Sequence, residues 1–150
     1  MNRKISSWAG KRVWVIGASS GIGAACATLL LEQGACVALS ARHRASLELL
    51  CQGQPLAQAL PLDITQPAQL RAVCADLQQQ WTHIDLILVV AGGYQAMRAD
   101  SFDLEAAQGL LALNVGGVFN CLEQALPWLL RQGSGGIGIV ASVAGYGGLP

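Results

Sequence analysis

Charged residues are scarce in this chain, and neither sign is in excess. Nine lysines and arginines balance nine aspartates and glutamates, and charged residues make up only 12% of the 150 residues. A chain without a basic field offers little long-range attraction to nucleic acid or to an anionic membrane surface. We therefore expect a small-molecule partner, and neither nucleic acid nor a membrane.

Long hydrophobic runs are also lacking, although 53% of the residues are hydrophobic. The run at 86–91 is far shorter than the roughly 20 residues that cross a bilayer, and residues 1–10 lack the hydrophobic region of a signal peptide. These absences predict a cytoplasmic location. An apolar composition with so little charge also implies that part of the surface is covered, by further chain or by a partner.

Metal-ligand spacing is missing as well. The five cysteines never form Cys-x-x-Cys, and their odd number does not favour a disulfide framework. His43 and His83 are far apart, without a cysteine or carboxylate at ligand spacing. We interpret the cysteines as small core residues in a reducing compartment and expect no metal.

What the sequence does contain is a regular alternation of apolar runs and helical patterns. Strands are predicted at 13–16, 35–39, 57–60, 84–90 and 137–141, and helices at 21–33, 44–52, 67–81 and 104–131. This order is typical of an α/β fold with a doubly wound, Rossmann-type parallel sheet. No linker or repeat interrupts it, so we expect one domain over residues 1–150.

Two of the predicted helices have a distinct apolar face. In the first, the residues expected to face the core are Ile22, Cys26, Leu29 and Leu30. In the third they are Leu70, Val73, Cys74, Leu77 and Trp81. Pro67 lies in the first turn of that helix, and Thr65 is predicted to cap it.

The most informative motif is Gly-Ala-Ser-Ser-Gly-Ile-Gly at 17–23, between the first strand and the first helix. Glycine permits positive φ and lets a pyrophosphate approach the backbone, and a helix N-terminus attracts its charge. A tight turn without a ligand is the alternative. The residues predicted to bind a dinucleotide here are Gly17, Ser19, Ser20, Gly21, Ile22 and Gly23.

Short motifs also follow the other predicted strands. They are Ala41-Arg42, Asp63-Ile64, Ala91-Gly92 and Ser142, and Asn114-Val115-Gly116-Gly117 lies in the fourth helical region. Together with the glycine turn, this order resembles the short-chain dehydrogenase/reductase family, whose enzymes transfer hydride between NAD(P) and an alcohol or carbonyl. The resemblance covers nearly the whole chain.

The resemblance implies a role for each of these positions in cofactor binding. Asp63 and Ile64 would contact adenine, although Asp63 could otherwise be a helix cap. The backbone of Ala91 and Gly92 would lie beside the ribose. Val89 and Val90 depart from the family pattern, because they replace its two asparagines and so remove a polar support of the central sheet.

Arg42 bears on which cofactor is bound. NAD-specific members of the family place a carboxylate at the end of the second strand, where it accepts a hydrogen bond from the ribose 2′-hydroxyl. Ala41 occupies that position here, and a guanidinium follows it. A guanidinium suits a 2′-phosphate, so the resemblance implies NADP rather than NAD.

The resemblance also implies catalytic roles for Ser142 and Asn114. The Ser142 hydroxyl would bond to the reacting oxygen, and Asn114 would bind the cofactor region and hold a water for proton transfer. A turn serine and a helix-bending polar residue are the alternatives. The family's Tyr-x-x-x-Lys is expected about a dozen residues beyond Ser142, whereas the sequence ends at Pro150. We therefore expect a chain truncated after the fifth strand and inactive alone.

These observations favour an NADP-preferring oxidoreductase that acts on a small alcohol or carbonyl compound, with a homo-oligomer expected for a full-length form. Two other classes stay open. A non-catalytic dinucleotide-binding protein would keep the same cofactor residues. An S-adenosylmethionine-dependent methyltransferase would also have a glycine turn, but Ala41-Arg42 lacks the acidic residue expected after its second strand.

Overall fold

A five-stranded parallel sheet forms the centre of the computed structural model, which describes residues 5–147. The strands are β1 Arg12–Ile16, β2 Cys36–Ser40, β3 Ala57–Ala59, β4 Leu86–Val89 and β5 Gly136–Ile139. Their order across the sheet is β3-β2-β1-β4-β5, and every neighbouring pair is parallel. From β1 the chain adds β2 and β3 on one side of the sheet and β4 and β5 on the other. Such sheets bind ligands at this reversal point, between β1 and β4.

Helices connect the strands as the sequence predicts. They are α1 Gly21–Glu32, α2 Arg44–Cys51, α3 Pro67–Gln80, α4 Leu104–Leu111 and α5 Gly117–Gln132. A π-helical turn at Ala112–Gly116 joins α4 to α5, so the predicted helix at 104–131 is one rod with an irregular centre. The predicted doubly wound α/β fold is confirmed. Within residues 5–147, none of these helices has both the length and the apolar character that a bilayer crossing requires.

The sheet is apolar on both faces because alternate residues of a strand point to opposite sides. Trp14 and Ile16 pack on one side with residues of α3 and α5. Val13 and Val15 pack on the other with residues of α1 and α2. Val89 joins the first cluster and Val90 borders the second, so the two valines that replace asparagines contribute apolar packing.

Of the predicted core face of α1, only Leu30 is buried, and Cys26 is half-buried. Ile22 and Leu29 are 61% and 55% exposed. The other buried residues of this helix are Gly23, Ala27 and Leu31. The small residues Gly23 and Ala27 face the sheet at the start of the helix, and this leaves Ile22 and Leu29 on its outer side. Periodicity alone could not show this, because nearly every position of this helix is apolar or small.

The face of α3 matches its prediction, but its cap does not. Leu70, Val73, Cys74 and Leu77 are buried, and Trp81 packs against them at the end of the helix. Pro67 is at the first helical position as predicted. The N-cap is Gln66 rather than Thr65, whose hydroxyl bonds to the Asp63 carboxylate at 2.8 Å.

A buried hydrogen bond links β1 to the end of β2. The Trp14 indole Nε1 donates to Ser40 Oγ at 2.9 Å, and Ser40 is completely buried. We expect Ser40→Ala to lower the free energy of unfolding by about 1–3 kcal/mol, because the indole N–H would lose its partner away from water. Urea denaturation would measure this, with the exposed Ser101→Ala as control, for which we expect a change within about 0.5 kcal/mol. Equal stability of the two variants would contradict the assigned role.

Uncovered apolar side chains concentrate on the long helical rod. Those exposed on α4, the π turn and α5 are Leu104, Leu111, Val115, Phe119, Leu126 and Leu130. At the adjoining edge of the sheet, Ile139 of the outer strand β5 is 48% exposed. These side chains are apolar surface that the described residues leave uncovered.

Candidate functional site

A cavity of about 310 Å³ opens at the carboxyl ends of the strands, at the reversal point of the sheet. The predicted dinucleotide-binding residues that line it are Gly17, Ser19, Ser20, Ile22, Gly23, Arg42, Asp63, Ile64, Ala91 and Gly92. The cavity therefore joins the segments after β1, β2, β3 and β4. Gly21 and Asn114 do not line it, and Asn114 instead supports its wall, as described below.

Gly17 and Gly23 are required by close packing of backbone against backbone. Gly17 has φ +100°, and a Cβ there would lie 2.6 Å from the Cα of Ala91. A Cβ on Gly23 would collide with the Gly17 carbonyl, whose carbon would be 2.8 Å away. The third glycine differs, because Gly21 has φ +54° but nothing within 4 Å of its Cβ position among the described residues. Its role is conformational, and the space beside it is open.

Backbone hydrogen bonds fix this turn to the strands on both sides. The amides of Gly17 and Ala18 donate to the Ser40 carbonyl at 2.7 and 3.0 Å. On the other side, the amides of Val90 and Ala91 donate to the Ile16 carbonyl at 2.8 and 2.9 Å. The glycine turn is thus fixed by backbone hydrogen bonds to the ends of β2 and β4.

The electrostatics of the cavity favour an anion. The N-cap side chain of α1, Ser20, accepts no hydrogen bond from the described helix amides, and the first turn of the helix has no acidic residue. The Arg42 guanidinium makes no hydrogen bond or ion pair with any residue in 5–147, whereas Arg44 pairs with Glu48 at 3.5 Å. Helix amides and an unpaired guanidinium thus border the same cavity.

Asp63 is held in place by its neighbours in the chain. Its Oδ1 accepts from the amide and the hydroxyl of Thr65 at 2.9 and 2.8 Å, and its own amide donates to Gln69 Oε1 at 2.8 Å. Asp63 is therefore not the cap of α3, which was the alternative. Oδ1 is occupied by Thr65, so Oδ2 is the carboxylate oxygen left for another donor.

The segment at Ile64 is also supported from α5. Asn120 Nδ2 donates to the Ile64 carbonyl at 2.9 Å, and Gly117, which has no side chain, lets the helix approach the Ile64 side chain. Sequence analysis missed Asn120 because its partner lies 56 residues away. It also missed the apolar residues of the wall, because apolar residues of strands and helices resemble core residues in sequence. These are Ile16, Leu62, Val90, Leu113 and Val140.

Asn114 lies in the middle of the π-helical turn and fastens the loop that follows β4. Its Oδ1 accepts from the Gly93 amide at 2.8 Å, and its Nδ2 donates to the Gly93 carbonyl at 2.9 Å. Both polar groups of the side chain are therefore engaged by the backbone directly after Ala91 and Gly92. Asn114 is thus a positioning residue for the wall of the cavity.

Ser142 follows β5 and is exposed. Its Oγ accepts from the Ala144 amide at 3.1 Å at the start of a short 3₁₀ turn, Val143–Gly145. The hydroxyl proton remains free to be donated. Ser142 does not line the cavity, but Val140, two residues earlier, does. The two tyrosines, Tyr94 and Tyr146, are 89% and 98% exposed and do not line it either.

The cysteines lie apart from this cavity. Cys74 and Cys121 are buried in the core, and burial raises the pKa of the Cys121 thiol to about 12. Such a thiol stays protonated near neutral pH and behaves as a small apolar group. Over the described part of the chain, no three histidine, cysteine or acidic side chains come together as metal ligands.

Comparison with known proteins gives consistent matches. A family model described as short chain dehydrogenase matches residues 11–150. An uncharacterized oxidoreductase of Staphylococcus aureus is 30% identical over 134 residues, which are 88% of this chain and 58% of that protein. One from Staphylococcus epidermidis is 32% identical over 133 residues, with the same shares of the two chains.

Solved structures show the same likeness. A short-chain dehydrogenase from Streptomyces avermitilis superposes with a TM-score of 0.85 at 29% identity, over 91% of this chain and 51% of that one. A short-chain type dehydrogenase/reductase from Mycobacterium marinum gives 0.84 at 33% identity, over 93% and 59%. The chain thus spans somewhat more than half the length of the proteins it matches.

Proposed function

Because the chain belongs to the short chain dehydrogenase family, we propose that the protein is an NADP-preferring oxidoreductase acting on an alcohol or carbonyl group of a small molecule. One observation carries the proposal. The packed glycine turn after β1 and the unpaired Arg42 after β2 border a single cavity at the reversal point of the sheet.

The residues of this cavity fit a dinucleotide phosphate. The backbone contacts at Gly17 and Gly23 leave no room for side chains, whereas the space at Gly21 is open. The amides at the start of α1 offer hydrogen bonds to an anion, and the helix dipole favours its charge. NADP contributes hydride transfer when bound, and the remaining chemistry falls to the protein.

Each site residue of this chain then has a definite task. Ser19, Ser20 and Ile22 would border the pyrophosphate, and Asp63 and Ile64 would border the adenine, since all five line the cavity. Ala91 and Gly92 would present backbone beside the ribose, and Asn114 fastens the loop behind them through Gly93. The Ser142 hydroxyl donates to the substrate oxygen, where negative charge develops in the transition state.

Arg42 tests the cofactor preference. We expect Arg42→Ala to weaken NADPH binding about 10- to 100-fold and to leave NADH binding unchanged, because a charge-assisted hydrogen bond contributes about 1.5–3 kcal/mol. Calorimetric titration of both cofactors would measure this.

Arg44→Ala is the matched control, since Arg44 pairs with Glu48 and lies outside the cavity lining. We expect it to bind both cofactors like the unaltered protein. An Arg42→Ala variant that binds NADPH normally, or that loses both cofactors equally, would refute the assignment.

Family membership removes the methyltransferase alternative. A dinucleotide-binding protein without turnover would show the same Arg42 effect but no reduction of any carbonyl compound, so activity assays separate the two.

We also propose a cytoplasmic location and a homo-oligomer for the whole protein. The first is supported by five free cysteines and the second by the exposed apolar side chains of α4 and α5.

A further inference from the structure

The segment after β3 forms a turn before α3 begins. The Gln66 amide donates to the Asp63 carbonyl at 3.0 Å and closes this turn. Inside the turn, the Ile64 carbonyl accepts from Asn120 Nδ2 of α5 at 2.9 Å. The next amide, that of Thr65, donates to Asp63 Oδ1 at 2.9 Å. The turn is therefore fixed both by its own residues and by a helix that is distant in sequence.

Two of these hydrogen bonds are made by a single peptide unit. The Ile64 carbonyl and the Thr65 N–H belong to the planar peptide bond between the two residues, and they point in opposite directions. Rotation of that plane would break both hydrogen bonds together. Because Asn120 holds the carbonyl, it also keeps the N–H aimed at Asp63 Oδ1, and the carboxylate keeps its orientation.

Asn120 is better placed for this task than Gln69 of α3, the other helix side chain that contacts the turn. Gln69 Oε1 accepts from the Asp63 amide at 2.8 Å, but this hydrogen bond is exposed and water can replace it. The Asn120 bond is half-buried, and α5 approaches the Ile64 side chain closely at Gly117. A polar group that loses its partner away from water is costly to leave unpaired.

The turn leaves one acceptor and one donor for a ligand. Asp63 Oδ2 and the Ile64 N–H make no hydrogen bond with any residue in 5–147, and both residues line the cavity. We propose that Asn120 is a positioning residue for the Asp63 carboxylate, and that through the 64–65 peptide it directs Oδ2 toward the amino group of adenine. This inference rests on the proposed function, in which adenine lies beside Asp63 and Ile64.

The base of the cofactor provides the test. Adenine has a donor at its amino group and an acceptor at the neighbouring ring nitrogen, whereas hypoxanthine has an acceptor and a donor at the same places. A site that hydrogen-bonds one pattern rejects the other. NADP⁺, NAD⁺ and the hypoxanthine analogue of NADP⁺ would be titrated by calorimetry into the full-length natural protein and its variants.

We expect Asn120→Ala to weaken the binding of NADP⁺ and of NAD⁺ by about fivefold each, the scale of one net hydrogen bond. Binding of the hypoxanthine analogue should not weaken, which also checks that the variant is folded. Asn120→His, whose ring N–H can donate from a similar position, should restore the preference for adenine. Gln124→Ala is the matched control one turn further along α5, because Gln124 bonds to Glu123 and does not line the cavity. It should bind all three compounds like the unaltered protein.

Normal NADP⁺ binding by Asn120→Ala would overturn the inference. An equal loss of NADP⁺ and its hypoxanthine analogue would also overturn it, because a general loss of structure has that effect. The proposed function fails separately. If Arg42→Ala leaves NADP⁺ binding unchanged, the cofactor preference itself is wrong. If Arg42→Ala weakens NADP⁺ binding and Asn120→Ala does not alter the preference for adenine, only the role of Asn120 is wrong.

Discussion

Gly23→Ala should destabilise the chain by about 3 kcal/mol or more and abolish cofactor binding. A Cβ at this position would collide with the Gly17 carbonyl. Backbone cannot move aside by changing rotamer, and the Gly17 turn is held by hydrogen bonds from both neighbouring strands. The helix would have to shift away from the sheet, and the amides at its start would leave their positions. Chemical denaturation and a titration with NADP⁺ would measure both effects.

Gly109→Ala provides a matched control inside a helix. Gly109 lies in α4, and a Cβ there would meet nothing within 4 Å among the described residues. Alanine has the higher helix propensity, so this variant should be neutral or more stable by up to about 1 kcal/mol. If Gly23→Ala matched it in stability and cofactor affinity, the close packing of α1 on the turn would not be essential.

Ser142→Ala should lower kcat for carbonyl reduction by about 100- to 1000-fold in the full-length natural protein. The hydroxyl accepts from the Ala144 amide, so its proton is free, and under the proposed function it would stabilise negative charge on the substrate oxygen. The affinity for NADP⁺ should not change, because Ser142 does not line the cavity. NADPH consumption with a panel of ketones and aldehydes would give kcat, and calorimetry would give the affinity.

Two variants test whether Ser142 takes part in the reaction or only shapes its turn. Ser142→Thr keeps the hydroxyl and should retain much of the activity, whereas Ser101→Ala, in another exposed 3₁₀ turn, should retain all of it. Unchanged kcat in Ser142→Ala would mean that the residue only shapes its turn. A folded, cofactor-binding protein that reduces none of the compounds would favour the non-catalytic alternative.

The buried face of a helix could be predicted where polar residues separate the apolar ones, and could not where nearly every residue is apolar or small. In α3, polar residues separate the apolar ones, so the face with Leu70 and Leu77 could be identified. In α1, almost every residue is apolar or small, and the buried face was set by the contact between Gly23 and Gly17. Thr65 failed as a cap because its hydroxyl is bound to Asp63.

The sequence by itself determined the fold class, the order of the elements and the position of the glycine turn. These depend on local properties, namely periodicity and the conformational freedom of glycine. Parallel topology then brings every strand's carboxyl end to one edge, so Arg42 and Asp63 could be expected near that turn. Their roles in binding remain a proposal, but their place beside one cavity follows from chain order.

Only the tertiary structure decided how that cavity is supported. The bonds from Asn114 to Gly93 and from Asn120 to Ile64 join residues 21 and 56 positions apart. Nothing local in the sequence specifies such pairs, because they depend on how far the α4 to α5 rod lies along the sheet and on the π turn in its centre. Folding also left the Arg42 guanidinium without an ion-pair partner among the described residues, because pairing depends on neighbours that folding brings to a side chain.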